Sequence, residues 1–248
     1  MPDTLPIIIP WRLDESCDGR GDELRLLLRS LERNARGLGT VCVVTSDRPE
    51  WLRDGDGLEL LDVPDRHLHN KDANLHDKML AALRRLDCPE FIFSADDCVL
   101  ASPCDLHELP TIYQGRTRAE FAALHGIWAR RMLATLDLLA SRGTEMAWSY
   151  DCHLPQRFLA APILEGLAGI DYATPPGLCI YTLWRGLEGV TREGVLQREA
   201  SQRADDIGPG ADLLARPLLN YTDTAFRDWL RDRLYGMFPA PSRWEAAP

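Results

Sequence analysis

The stretch Phe91-Ile92-Phe93-Ser94-Ala95-Asp96-Asp97-Cys98-Val99-Leu100 decides how the rest of the chain is read. Phe91 to Ser94 has the length and the aromatic and β-branched character of a buried strand. Two carboxylates follow at once, and Cys98 to Leu100 resumes the apolar run. A carboxylate pair pinned between two apolar segments is less free than an ordinary surface turn. In open α/β sheets, ligands bind beyond the carboxyl ends of the strands. Two aspartates there can hold a divalent cation, Mg²⁺ or Mn²⁺, which in turn holds a diphosphate and neutralises charge on a leaving phosphate. The plainer reading is a solvated Asp-Asp turn.

Working outward, the pattern repeats strand and helix. Pro6 to Trp11 reads as a first buried strand. Asp22 to Arg36 reads as a helix, with Leu24, Leu27, Leu28 and Leu31 on one face and Arg25, Arg29, Arg33 and Arg36 on another side. Thr40–Thr45 and Leu58–Val63 read as two more strands. Asp72–Leu86 reads as a second helix, with Leu75, Met79, Leu83 and Leu86 inward and Asp72 as its N-cap. The order strand, helix, strand, strand, helix, strand predicts a mainly parallel sheet covered by helices. Beyond it, Arg118–Ala140 has helical composition with Gly126 as a candidate interruption. Pro155–Leu167 and Thr224–Met237 read as further helices, the last with Phe226, Trp229, Leu230 and Leu234 on one side. Residues 238–248 read as a proline-rich tail.

Composition bounds the function classes. With 248 residues, 45% of them hydrophobic, and no Gly/Ser linker, the expectation is one domain over residues 1–248. The net charge of −10 argues against broad nucleic-acid binding. The apolar runs fall short of the ~20 residues of a membrane helix. The start, MPDTLPIIIPW, does not read as a signal peptide. Seven cysteines without CxxC or zinc spacing read as reduced thiols, which suits the cytoplasm.

Around the second helix start, Asn70-Lys71-Asp72-Ala73-Asn74-Leu75-His76-Asp77-Lys78 gathers polar groups suited to phosphate. A capped helix explains Asp72 and Asn74; Lys71 and Lys78 are left for a ligand.

Five blocks, in order, resemble the Stealth family of sugar-phosphate transferases and short phage-type glycosyltransferase-like proteins related to them. They are Arg20-Gly21-Asp22-Glu23-Leu24 with Leu28-Arg29-Ser30-Leu31; Val43-Val44-Thr45 with Pro49-Glu50-Trp51-Leu52; Ser94-Ala95-Asp96-Asp97; Tyr150-Asp151-Cys152-His153-Leu154-Pro155; and Phe238-Pro239-Ala240-Pro241-Ser242-Arg243-Trp244-Glu245. Arg185, in Leu183-Trp184-Arg185, falls where the family has an arginine after an aromatic. Ala95 departs from the family's asparagine. The resemblance implies a Rossmann-like glycosyltransferase fold of the GT-A type. Residues 1–110 would take a nucleotide-diphospho-sugar and residues 111–248 would supply the acceptor and catalytic half.

On that reading Asp96 and Asp97 hold the metal, and Asp96 also faces the donor. Trp11 stacks on the base, with Asp22, Arg29 and Thr45 beside it and Lys71, Asn74 and Lys78 near the phosphates. His153 serves as a base or as a donor to phosphate. Asp151 is the fallback base, and Arg185 stabilises developing charge. Each has a plainer alternative: a structural histidine at a helix start, a surface arginine, a salt bridge for Arg29, a helix cap for Asp22, a core aromatic for Trp11. Ser242 and Glu245 have the spacing of a capping box, in a tail expected to fold back and close the site.

The leading expectation is a metal-dependent glycosyltransferase acting on a hydroxyl acceptor: a glycan, a small molecule or a hydroxylated base of phage DNA. The alternatives are sugar-1-phosphate transfer, which releases a nucleoside monophosphate, and a non-catalytic nucleotide-sugar-binding module.

Overall fold

A computed structural model describes residues 4–13 and 21–246. Arg20 and Cys17 lie outside the described residues. Among the rest, β1 spans Leu5–Pro10, α1 Asp22–Asn34, β2 Leu38–Val44, β3 Leu58–Leu61, α2 Lys71–Leu86, β4 Glu90–Phe93 and β5 Cys98–Leu100. The second half contributes α3 Arg118–Ala122, α4 Ile127–Ser141, β6 Gln156–Leu159, α5 Ala160–Leu167, α6 Ile180–Leu187, β7 Ser201–Arg203 and β8 Leu218–Asn220. A helical run from Asp223 to Met237 follows, with a π-helical turn at Phe226–Leu230 in its middle.

The central sheet has the order β3-β2-β1-β4-β6. Its first four strands are parallel and β6 is antiparallel to β4. The protein is thus a mixed α/β structure with a mostly parallel sheet flanked by helices. Register explains why β1 is apolar throughout: Ile7, Ile8 and Ile9 pair with Val41, Cys42 and Val43 of β2, and alternate residues meet opposite helical layers. Ile7 and Ile9 pack with Leu24, Leu27, Leu28 and Leu31 of α1. Ile8, Cys42 and Phe91 pack with Met79 and Leu83 of α2, Ile163 of α5 and Trp184 of α6. Leu27 is fully buried, and truncating such a leucine to alanine typically costs about 2–5 kcal/mol.

Two sequence expectations need correction. Pro155–Leu167 is not one helix. Gln156–Leu159 forms the antiparallel edge strand β6, alternating buried and exposed, before α5 begins. Asp72 does not cap α2; the Asn70 side chain accepts from Ala73 N at 3.2 Å, and the helix starts at Lys71. The interruption expected at Gly126 is present: α3 ends at Ala122, α4 begins at Ile127, and Gly126 between them, with a φ of 109° open to glycine, is the N-cap of α4.

The tail does fold back, but onto α1. Glu245 receives Arg29 Nε and Nη2, both at 2.7 Å, and its Oε1 also accepts from Ser242 N at 2.8 Å. Trp244 is buried, its Nε1 donating to Asp56 O at 3.1 Å. No helix among the described residues is long and apolar enough to cross a membrane.

Candidate functional site

From β1 the chain runs outward through β2 and β3, then returns across α2 to β4 on the other side of β1. The β1/β4 junction is therefore where strand order reverses, and a crevice opens beyond it. Trp11 to Leu13 leave β1 into this crevice, and Asp96 and Asp97 leave β4 into it.

The Asp-Asp turn is fixed at both ends. Ser94 N donates to Ile8 O at 3.1 Å before it, and Tyr221 N donates to Asp97 O at 3.1 Å after it. Strand β5 is then anchored to α1: Leu100 N donates to Ser30 Oγ at 3.1 Å, and Asn34 Nδ2 donates to Leu100 O at 2.6 Å. Tertiary bonds, rather than the turn sequence itself, hold the two carboxylates in place.

Two cavities meet at this turn. The larger, about 330 Å³, runs along Trp11, Arg12, Asp22, Glu23 and Asp65. The smaller, about 180 Å³, is bounded by Asp72, Trp128, Arg131, Asp151, His153 and Tyr181. Pro10, Lys71, Leu75, Asp96 and Asp97 belong to both and form the wall between them. Lys71 is exposed there, and its charge acts on Asp72, Asp96 and His153.

Burial, with Asp97 adding to it, raises the Asp96 carboxyl to about 6. His153 Nδ1 lies 2.6 Å from Asp97 Oδ2, and the Asp97 carboxylate raises the imidazole to about 9. The His153 side chain is still 57% exposed, so a ligand can reach the ring. Asp151 sits at the start of α6, where it accepts from Thr182 N at 3.3 Å and from the Cys179 and Trp128 side chains; burial raises its carboxyl.

Several expected site residues are engaged in the fold. Lys78 is buried, donating to Trp11 O at 2.9 Å and pairing with Asp65 at 2.8 Å, so it braces the larger cavity's wall. Asn74 clasps the loop before α2: His67 N donates to its Oδ1 at 2.8 Å and its Nδ2 donates to His67 O at 3.0 Å. Trp11 is a buried wall of the same cavity. Asp22, also on that wall, accepts from Tyr235 Oη at 2.6 Å rather than capping α1, whose cap is Gly21. Thr45 accepts from Asp47 N at 2.9 Å, at the end of β2 and outside both cavity linings. Arg29 is committed to Glu245 and Phe238 O, on the tail side of α1. Arg185 is buried against the Phe158 ring, with Glu188 at 2.8 Å and Gln156 at 2.9 Å, and lines neither cavity.

The structure also adds residues. Asp65, Trp128, Arg131 and Tyr181 reach the cavities from elements whose motifs said nothing of a ligand. Asp72 was visible beside Lys71, but as a cap.

Among the described residues no group of three or more His, Cys, Asp or Glu is arranged to hold a metal ion. The donor set fits a cation shared with a ligand instead. Asp97 Oδ1 is buried without a hydrogen-bond partner, and Asp96 stands next to it. One or two carboxylates completed by substrate phosphates is the usual way a protein holds Mg²⁺. No protein-family model matches the chain, and no curated protein matches it.

Proposed function

We propose that the protein is a metal-dependent glycosyltransferase of the GT-A type, which transfers a sugar from a nucleotide-diphospho-sugar to a hydroxyl acceptor. One observation carries this reading: two cavities of unequal size share a wall made by Asp96, Asp97 and Lys71, at the switch point of a mostly parallel sheet. The larger has room for a nucleotide and the smaller for one acceptor ring, and the reacting bond would lie at the wall. Asp96 and Asp97 would hold Mg²⁺ or Mn²⁺ together with the donor diphosphate. The bound cation would neutralise charge on the departing phosphate. Lys71 adds a cation on the same wall.

Sugar-1-phosphate transfer is the second reading, favoured by the placement of His153 against Asp97, where an imidazole can donate to a phosphate oxygen. Incubating the protein with Mn²⁺, an equimolar mixture of UDP-, GDP-, dTDP- and ADP-glucose, and mixed monosaccharides distinguishes the two. Release of a nucleoside diphosphate supports glycosyl transfer, whereas release of monophosphate alone supports the second reading. Donor binding without release supports a non-catalytic module. Asp97→Asn should lose more than the roughly 10–100-fold typical of a supporting group near a metal. Full activity in that variant would exclude the metal reading.

A further inference from the structure

The smaller cavity is walled by four carboxylates: Asp72, Asp96, Asp97 and Asp151. A base for the acceptor hydroxyl must stand within reach of it and have a lone pair to spare. Asp97 gives one oxygen to His153, and with Asp96 it is assigned to the cation and diphosphate. Asp151 accepts from Thr182 N and from the Cys179 and Trp128 side chains.

Asp72 differs from all three. It is the second residue of α2, yet Asn70 caps that helix. Its side chain is 17% exposed and faces the cavity, and its ion-pair partner is Arg131 of α4 at 3.5 Å. Arg131 is itself fixed, its Nε donating to Pro176 O at 2.7 Å. The charged groups acting on Asp72 are Asp151, Arg131, Lys71 and His153. Burial first and Asp151 second raise its carboxyl to about 6, against the three cations. A base titrating there is deprotonated at neutral pH and still proton-hungry enough to work.

We propose that Asp72 is the catalytic base that takes the proton from the acceptor hydroxyl, with Arg131 as its positioning residue. This rests on the glycosyltransferase reading. The acceptor oxygen forms a bond to the anomeric carbon of the donor. The bond from that carbon to the diphosphate oxygen breaks, and its electron pair leaves with the nucleoside diphosphate. The hydroxyl proton goes to an Asp72 carboxylate oxygen. A single displacement of this kind inverts the anomeric carbon. If the second reading held, the new bond would form at phosphorus and a monophosphate would leave, with the same proton going to Asp72.

The competing explanation is an ion pair that only ties α2 to α4. The test uses the full chain with Mn²⁺ and the donor and acceptor mixtures above. Asp72→Asn should lower kcat by about 10²–10⁴-fold, leave UDP-glucose affinity unchanged, and remove the Asp72 contribution from the acid limb expected of the wild type near pH 6. Arg131→Met should lower kcat less and move that limb to higher pH, because a neighbouring cation is gone. In the metal-free wild type, the Asp72 side-chain carboxyl followed by ¹³C NMR should titrate near 6. Equal losses of kcat and of Tm in the two variants would overturn the proposal, as would an active Asp72→Asn with an unaltered pH profile. If the Asn variant does not fold, Asp72→Glu, which displaces the carboxylate by one methylene, must fold and lose kcat; full activity overturns the proposal. Absence of nucleotide release by the wild type is a different outcome, since it removes the glycosyltransferase reading and this base with it.

Discussion

His153 Nδ1 and Asp97 Oδ2 are 2.6 Å apart, and through this contact the second half of the chain reaches the carboxylate pair that ends β4. The imidazole occupies one Asp97 oxygen and leaves the other buried without a partner. Removing the ring frees an oxygen, whereas removing the charge of Asp97 would take away the carboxylate proposed to anchor a cation. His153→Asn should therefore bind Mn²⁺ no more weakly than wild type while turning over more slowly. Asp97→Asn should bind it far more weakly. Electron paramagnetic resonance of free Mn²⁺ measures both, and chelation should abolish nucleotide release in the wild type.

Lys71 and Lys78 lie seven residues apart on one helix but do different work. Lys78 is buried between Trp11 O and Asp65, so Lys78→Met should leave the Trp11 carbonyl and the partly exposed Asp65 carboxylate without their donor and cost roughly 1–3 kcal/mol of stability. Lys71 is exposed on the shared wall. Lys71→Ala should leave Tm unchanged and weaken UDP-glucose binding, by roughly tenfold if it contributes about 1.4 kcal/mol. Denaturant titration and calorimetry separate the two.

Arg29 and Glu245 form a bidentate pair with side chains only 9% and 5% exposed. Burial raises the Glu245 carboxyl, but the hydrogen bonds from Arg29 and Ser242 and the charge of Arg25 outweigh it, so the net shift is downward. The pair's stabilisation is therefore present above the ordinary glutamate range and lost as pH falls through the lowered value. Glu245→Ala leaves Arg29 without its partner and should cost about 3–5 kcal/mol, readable by urea unfolding at neutral pH. Deleting residues 238–246 should cost more, because it also exposes the face of α1 and the loop around Asp56 that Trp244 covers.

His76 is fully buried between Tyr172 and Trp184, and burial lowers its imidazole to about 4. The folded state keeps it neutral while the unfolded state binds a proton below the ordinary value of 6.5. Above pH 6.5 the ring is neutral in both states and adds no pH dependence; between 6.5 and 4 the unfolded state alone takes up the proton, so stability falls as pH drops through that range. The difference amounts to roughly 3 kcal/mol at about 1.4 kcal/mol per pH unit. His76→Leu should flatten this acid slope of the unfolding free energy.

The strands that build the sheet were legible because they are short apolar runs with β-branched residues, and α1 because its leucines recur on one face. The Asp-Asp turn was legible because apolar segments bracket it. What could not be read depends on distant partners. Gln156 opens β6 as a buried polar residue because it accepts from Ile112 N and bonds Arg185, contacts invisible beside the proline that precedes it. Arg185 stands where a motif placed it, yet Glu188 three residues on and the ring of Phe158 keep it in the core. Asp72 occupies a cap-like position whose cap is made two residues earlier. Trp128 and Arg131 lie on a helix with no motif, and the packing of α4 against α3 and α6, with Trp128 against the Phe121 ring and Arg131 held by Pro176 O, brings them to the cavity.

The clasp between Arg29 and Glu245 also sets an order of events in synthesis. The two residues are 216 positions apart. Until the ribosome has released residue 245, the guanidinium on α1 and the apolar slot that takes Trp244 have no counterpart. The residues of β1, α1 and β2 all precede position 45, so they are synthesised long before the residues that close the seam along that helix. Truncation by a premature stop in the 240s would leave the seam open for good. Such products would be recognisable to proteases and chaperones although most of their sheet is present.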